Sequence, residues 1–354
     1  MTAAPTDESV MKGGGYYSAH SAVQHASAAP GYPMFERAAA EVPLPRNGDA
    51  LTIGDFGCAG GANEMTPLSL AIGALRKRTP ALPIEVVLAD LPGNDWTSLF
   101  ARVETSSQSY AWQQGAIYSY GAGRSLYGPV VPDRRLTLGW TAITVHWLSA
   151  VPPCQPDSAY ANLVTGPARD ALAQRSRDDW RAFLAERARE LISGGQLVIV
   201  GGASDSDGVS GAEGLFRMVD AELRDLTDRG VLRPSERAHI FYPTWNRTPA
   251  EFIGPLAGSA FTLAEQREDV SDDSERYPQF VRDGDATAFA AAYIGFVRAV
   301  TEPAFFRWIE ADRTPTQKSA IVGAFYAGLE RRIAADPAGA TCHWHTVTLR
   351  LIRC

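Results

Sequence analysis

Ile53-Gly-Asp-Phe-Gly-Cys-Ala-Gly-Gly-Ala-Asn63, followed by Val86-Val-Leu-Ala-Asp-Leu-Pro-Gly-Asn-Asp95, is the stretch whose reading decides the fold. An apolar run enters a glycine-rich turn, and a second apolar run ends in an acid. This is the pattern of a first βαβ unit that holds a nucleoside. Glycines let the backbone approach the ligand, and an acid at the end of the second strand accepts from both ribose hydroxyls. A dinucleotide fingerprint needs G-x-G-x-x-G opening a helix, so that amides meet a pyrophosphate. Gly57, Gly60 and Gly61 do not give that spacing. Asp55, inside the turn, repels a pyrophosphate and suits a cationic ligand. S-adenosylmethionine, with a sulfonium, an ammonium and no phosphate, is therefore favoured over a dinucleotide; a ligand-free turn between core strand and helix is the third reading.

Composition narrows the field. The chain has 354 residues and 45% hydrophobic content, enough for one large core or two fused ones. Its net charge of −7, with no basic block, argues against nucleic acid as a partner. No apolar run approaches the roughly 20 residues that span a bilayer. The opening MTAAPTDESVMKGGGYYS lacks the apolar centre of a signal peptide, so a cytoplasmic protein with a disordered tail over residues 1–10 is expected. Cys58, Cys154, Cys342 and Cys354 have no C-x-x-C spacing. His343 and His345 share a strand face but lack companion ligands, and no metal site is expected.

Strands are expected over 51–56, 84–89, 115–119, 136–147 and 196–201, with helices over 63–78, from 94 and over 170–192. Gly194-Gly195 reads as the stop of the last of these helices. The segment 120–133 reads as a loop. Alternating strands and helices argue for a doubly wound α/β sheet. Beyond residue 202 the pattern turns helical, over 212–229, 285–311 and 315–335, with an acidic loop at 269–275. This region reads as a helical cap over the carboxyl edge of the sheet, and 346–352 as an edge strand returning to it.

Six segments in order resemble the SABATH family of methyltransferases, which methylate carboxylic acids and, in some relatives, ring nitrogen. Met11-Lys-Gly-Gly-Gly-Tyr-Tyr-Ser-Ala-His-Ser-Ala-Val-Gln24 is similar to its M-x-G-G opening and S-x-x-Q element. The turn over 53–63 resembles D-x-G-C-x-x-G-x-N, and Asp90-Leu-Pro-Gly-Asn-Asp95 resembles D-L-P-x-N-D. Ser125-Leu-Tyr-Gly128, Val145-His-Trp-Leu-Ser149 and Arg298-Ala-Val-Thr-Glu-Pro303 resemble S-F-Y-x-R, S-L-H-W-L-S and R-A-x-x-E-P. His20, Leu126 and Pro129 depart from the usual Asn, Phe and Arg.

The resemblance implies a Rossmann-like class I methyltransferase sheet with a helical cap. Residues 11–202 and 336–354 would form the S-adenosylmethionine-binding α/β domain, and 203–335 the substrate cap. It further implies that Tyr17, Ser21, Asp55, Gly57, Cys58 and Asn63 surround the methionine part of the cofactor. Asp90 would hold the ribose, Leu91 would pack on adenine, and Ser125 and Leu126 would close over the adenine side. Family members are often dimers, which makes a homodimer an expectation.

The implied acceptor chemistry needs no general base, because a carboxylic acid with a pKa near 4 to 5 is already ionised at neutral pH. It needs uncharged donors that orient the carboxylate in a dry pocket. Gln24 and Trp147 suit that task, since an amide NH₂ and an indole N–H donate without charge. His146 is expected to border the same pocket, with Trp245, Val297 and Val300 supplying apolar wall. The small valines point to a roomy pocket, suited to an extended aromatic or medium-chain fatty acid. An N- or phenol-O-methyltransferase on the same scaffold is the alternative. A binding protein without turnover is the competitor from another class.

Overall fold

The structure is a computed structural model that describes residues 16, 20–45, 49–113, 115–272, 276–307, 309 and 312–354. Its strands are β1 (Leu51–Phe56), β2 (Ile84–Asp90), β3 (Ile117–Gly123), β4 (Leu136–Ala142), β5 (Leu191–Ala203), β6 (Phe261–Asp272) and β7 (His343–Arg353). They form one sheet in the order β3-β2-β1-β4-β5-β7-β6. The first five strands run parallel, and β7 is antiparallel to both of its neighbours. Strand order reverses between β1 and β4, the kind of switch point where open α/β sheets hold ligands.

The helices that matter to the site are α1 (Ala22–Ala28), α2 (Tyr32–Glu41), α3 (Met65–Arg78), α4 (Trp96–Thr105), α5 (Gly166–Glu190), α6 (Glu213–Asp228), α7 (Ala286–Phe306) and α8 (Pro315–Ala335). Successive side chains of a strand point to opposite faces, so each strand feeds two layers. On β5, Val198 and Val200 meet Phe35, Leu68 and Ile72 from α2 and α3. Leu197 and Ile199 instead meet Trp180, Phe183 and Leu184 from α5. A third apolar cluster joins α6, α7 and α8 through residues such as Leu223, Phe305 and Phe325. No helix among the described residues is long and apolar enough to cross a membrane.

Buried charge ties a loop to α5. The Arg187 side chain, with no exposure, pairs with Glu190 at 2.7 Å and lies 4.2 Å from the Phe56 ring centroid. It donates to the carbonyls of Leu126 at 2.7 Å and Gly128 at 2.8 Å. Glu190 in turn accepts from the amides of Val130 and Val131. Residues 126–131 are thus held against the sheet by one ion pair.

Several expected boundaries move, each for a physical reason. Helix α5 ends at Glu190, before Gly194, because Leu191 already pairs with Leu136 of β4. Gly194, at φ 76°, serves an irregularity in β5 between that pair and the next, Leu138 with Gln196. Strand β3 runs on through Tyr120 to Gly123, which the loop reading over 120–133 had excluded, since Tyr118 and Tyr120 lie exposed and the run lacks an apolar signal. Strand β4 stops at Ala142, short of Trp147. The acidic stretch from Asp269 to Asp272 is the end of β6 rather than a loop. Strand β7 is consequently internal and β6 is the edge, so residues 203–335 contribute a strand as well as helices. The expectation for 315–335 holds residue for residue, because Thr314 and Gln317 form a capping box at the start of α8.

Candidate active site: an acid-lined cleft beside an aromatic pocket

The turn after β1 takes its shape from glycine. Gly57 has φ 95°, and a Cβ there would lie 2.3 Å from the Thr144 side chain, so any other residue would be strained and would have to displace that side chain. The amides of Gly57 and Cys58 donate to the Ala89 carbonyl at the end of β2. One Asp90 oxygen accepts from the Ala59 amide and the other from the Leu91 amide, both at 2.7 Å. Asp90 therefore braces two turns at once. The Arg124 amide donates to the Asp90 carbonyl, which brings Ser125 next to the end of β2.

A cavity opens beneath this turn, walled by Asp55, Gly57, Asn63 and Glu64 on one side and by Gln24 and Ile143 on the other. Asp55 is 2% exposed and Glu64 7%, and Asp55 Oδ2 and Glu64 Oε2 have no hydrogen-bond partner. Burial, then Asp90, pushes the Asp55 carboxyl well above the usual range. Burial, then Asp55, does the same to Glu64. Among the described residues, no lysine, arginine or histidine lines this cavity. Orphaned buried acids in a cavity without a counter-cation fit a ligand that brings its own positive charge. The ammonium and sulfonium of S-adenosylmethionine meet that requirement, and the phosphates of a dinucleotide do not.

A second cavity adjoins the first, and Gln24 and Ile143 line both. Ile143 follows β4 with φ 51°, a rare conformation for a β-branched residue, and its amide is held by the Val200 carbonyl at 2.7 Å. The second cavity has aromatic walls from Trp147, Tyr160, Tyr242, Phe296 and Trp344. Trp147 meets Tyr242 edge to face at 4.8 Å between centroids. Among its polar groups, Gln24 Oε1, His146 Nδ1 and Thr244 Oγ1 are buried without a partner. Burial, and secondarily the Arg247 charge, lowers His146 to about 3, so the ring is neutral throughout the physiological range. The pocket thus offers neutral polar groups in an apolar enclosure.

The structure brings together Gln24, Asp55, Gly57 and Asn63 at the first cavity, and Gln24, His146, Trp147 and Val300 at the second. Other expected residues lie elsewhere. Trp245 packs with Leu148 and Phe241 below Arg169, because in this extended segment Thr244 and Asn246 point to the pocket and the residue between them points away. On α7 the pocket wall is Phe296 and Val300, one turn apart, while Val297 faces the helical core. The Cys58 thiol is fully buried in the sheet core and lines neither cavity. Ser21 is buried just ahead of α1, and Leu126 packs against the α5 layer. Leu91 and Ser125 are half-buried at the ends of β2 and β3. Tyr17 lies outside the described residues.

Several wall residues escaped the sequence reading, Glu64, Thr244 and His345 among them. Glu64 was hidden because an acid at the start of a helix is ordinary there. Thr244 was overshadowed by Trp245, although strand alternation singles out one of the two. His345 comes from β7, and only the sheet order brings that strand, with Trp344 and Thr346, beside β5 at the pocket.

A seven-stranded sheet with one antiparallel strand, a nucleoside-type turn, and an acid-lined cleft without phosphate-binding groups define a Rossmann-like methyltransferase. A family profile described as SAM dependent carboxyl methyltransferase matches residues 7–312, and the chain belongs to that family. Its cofactor is S-adenosylmethionine. Methyltransferase LUC1 of Fusarium sp is 30% identical over 248 residues, 67% of this chain and 64% of that protein. Methyltransferase FUS9 of Gibberella fujikuroi is 27% identical over 272 residues, covering 76% and 73%. A loganic acid methyltransferase solved with SAH superposes with a TM-score of 0.79 at 18% identity, over 97% of this chain and 98% of that one, so the two share a fold.

Proposed function

We propose that this protein methylates the carboxylate of a small hydrophobic acid, aromatic or medium-chain aliphatic, to give a methyl ester. The observation that carries the reading is the pair of cavities with a common wall at Gln24 and Ile143, one acidic and one aromatic. S-adenosylmethionine supplies a methyl group on a sulfonium, transferred by in-line displacement. Asp55, Asn63 and the Gly57 turn hold its amino acid end, Asp90 holds the ribose hydroxyls, and Leu91, Ser125 and Leu126 flank the adenine. Ser21, Cys58 and Tyr17 are assigned to the same neighbourhood on the family resemblance. Residues 11–202 with 336–354 serve the cofactor, and 203–335 shape the acceptor side.

In the aromatic pocket, Gln24 Nε2, the Trp147 indole N–H and the Thr244 hydroxyl orient the acid. Neutral donors suit this chemistry. The acceptor loses its charge as the ester forms, so an arginine fork would stabilise the starting anion more than the transition state. Aromatic walls exclude water, which leaves the anion a stronger nucleophile. His146, held near 3, is too weak a base to take a proton from a phenol or an amine, which favours a carboxylate acceptor. A homodimer completes the proposal on the resemblance alone, with the cytoplasmic location carried over from the sequence reading, and light scattering of the purified protein tests the dimer.

The test is transfer of labelled methyl from S-adenosylmethionine to benzoate, salicylate, indole-acetate and fatty acids of graded length. Extractable ester from one class is the expected result; labelling of phenols or amines only would overturn it. On the acid that reacts, His146→Ala should leave kcat/KM flat from pH 6 to 9. A histidine base would show instead as a limb near its ordinary pKa of about 6.5 that disappears in the variant.

A further inference from the structure

We propose that Glu64 is a cofactor-selecting residue: with Asp55 it forms a two-carboxylate receptor that favours the charged methyl donor over the product left after transfer. The inference deepens the cofactor placement above and rests on it. Both acids are more than nine-tenths buried, both line the same cavity, and each has an oxygen without a hydrogen-bond partner. A single unpaired acid would suffice to hold an ammonium. Two acids match a ligand with two positive centres.

Among the described residues the surroundings supply no other counter-charge. The groups that act on Glu64, or that it acts on, are Asp55 from β1, Asp90 from β2, Tyr32 from α2, Cys58 from the glycine turn and Tyr110 from the 3-10 turn Tyr110–Trp112; each is neutral or acidic. Two adjacent buried carboxylates do not both ionise readily, so the free protein keeps a proton on the pair. Entry of a ligand with two cationic centres beside the pair makes both anions favourable, and that proton leaves to solvent. After transfer the sulfonium has become a neutral thioether. Only the ammonium remains, one carboxylate loses its partner, and the pair takes a proton back. Glu64 thereby weakens the hold on the spent cofactor without touching the acceptor.

The test is calorimetric titration of the intact protein with S-adenosylmethionine and with S-adenosylhomocysteine at pH 7, repeated in buffers of different ionisation enthalpy. Wild type should bind the methyl donor about tenfold tighter than the product, the factor that one pKa unit of differential interaction represents. It should release protons with the donor and not with the product. Glu64→Gln, of the same size, should bring the affinity ratio close to one and abolish the proton release, while Glu64→Asp retains both. An unchanged ratio in Glu64→Gln overturns the proposal. Equal weakening of both ligands, with proton release intact, also overturns it, because it makes Glu64 structural only. Asp55→Asn separates the two levels of the argument: if it leaves donor affinity untouched, the placement of the cofactor in this cleft fails along with the role of Glu64.

Discussion

Arg187→Met is expected to lower the stability of the fold by about 3–5 kcal/mol, the cost of stripping one partner from a buried ion pair. The substitution keeps the volume and apolar contacts of the stem, so the loss isolates the guanidinium. Glu190 is then left as an uncompensated charge with 1% side-chain exposure. The carbonyls of Leu126 and Gly128 lose their donors as well, and each unsatisfied buried group adds its own desolvation cost. Chemical denaturation of the variant should show a lower midpoint, with proteolytic nicking concentrated in 125–131. Because that segment carries Ser125 and Leu126, affinity for S-adenosylmethionine should weaken too. Removing both charges, as Arg187→Met with Glu190→Leu, should recover part of the loss, since an apolar pair is often as stable as a buried salt bridge. Full stability in the single variant would mean that the ion pair contributes nothing.

Gln24→Ala should reduce kcat/KM by about 10²-fold, the scale of a small misplacement of reacting groups. Gln24 lies on α1, buried to 8% exposure, and is on the wall of both cavities. Its loss therefore acts on donor and acceptor together. Ser27, one turn along the same helix, lines the aromatic cavity only. Ser27→Ala should change KM for the acid and leave donor affinity alone, whereas Gln24→Ala moves both. Initial rates at saturating donor, paired with direct donor binding, distinguish the two patterns. If Gln24→Ala transfers methyl at the wild-type rate, the shared wall has no part in the reaction.

What could be read from the sequence follows the physics of each signal. Strands β1 and β2 and helices α3 and α8 were legible because local pattern and tertiary role coincide: apolar runs, buried throughout in β1 and mainly on one face in β2, a glycine-rich turn, a capping box. Asp55 and the glycine turn stand out in the sequence for the same reason, and both line the first cavity. Strand β6 was not legible, because an edge strand that carries Glu265, Arg267, Glu268 and Asp269, two of them exposed and two half-buried, has the polarity of a loop. Helix α2 was passed over although Phe35, Ala38 and Ala39 have helical spacing, since Pro33 obscures its start. The pocket face of α7 needed the helix phase relative to its neighbours. Spacing places Val297 and Val300 on one side but does not say which of Phe296 and Val297 turns inward.

The sheet order has a consequence for how the chain is made. Strand β6 pairs only with β7, and α7 and α8 both intervene between them in the sequence. During synthesis β6 emerges without its partner and waits on the ribosome until two long helices have been added. Chains lengthen at about 5–20 residues per second, so this interval is seconds long and exposes an unpaired strand to other nascent chains. The alternating charges of β6 blunt that hazard: Glu265 and Arg267 make the waiting edge a poor template for aggregation, and Glu265 is later claimed by Arg37 and Arg350 when the sheet closes. Polarity that disguised this strand as a loop is what lets it survive its own translation.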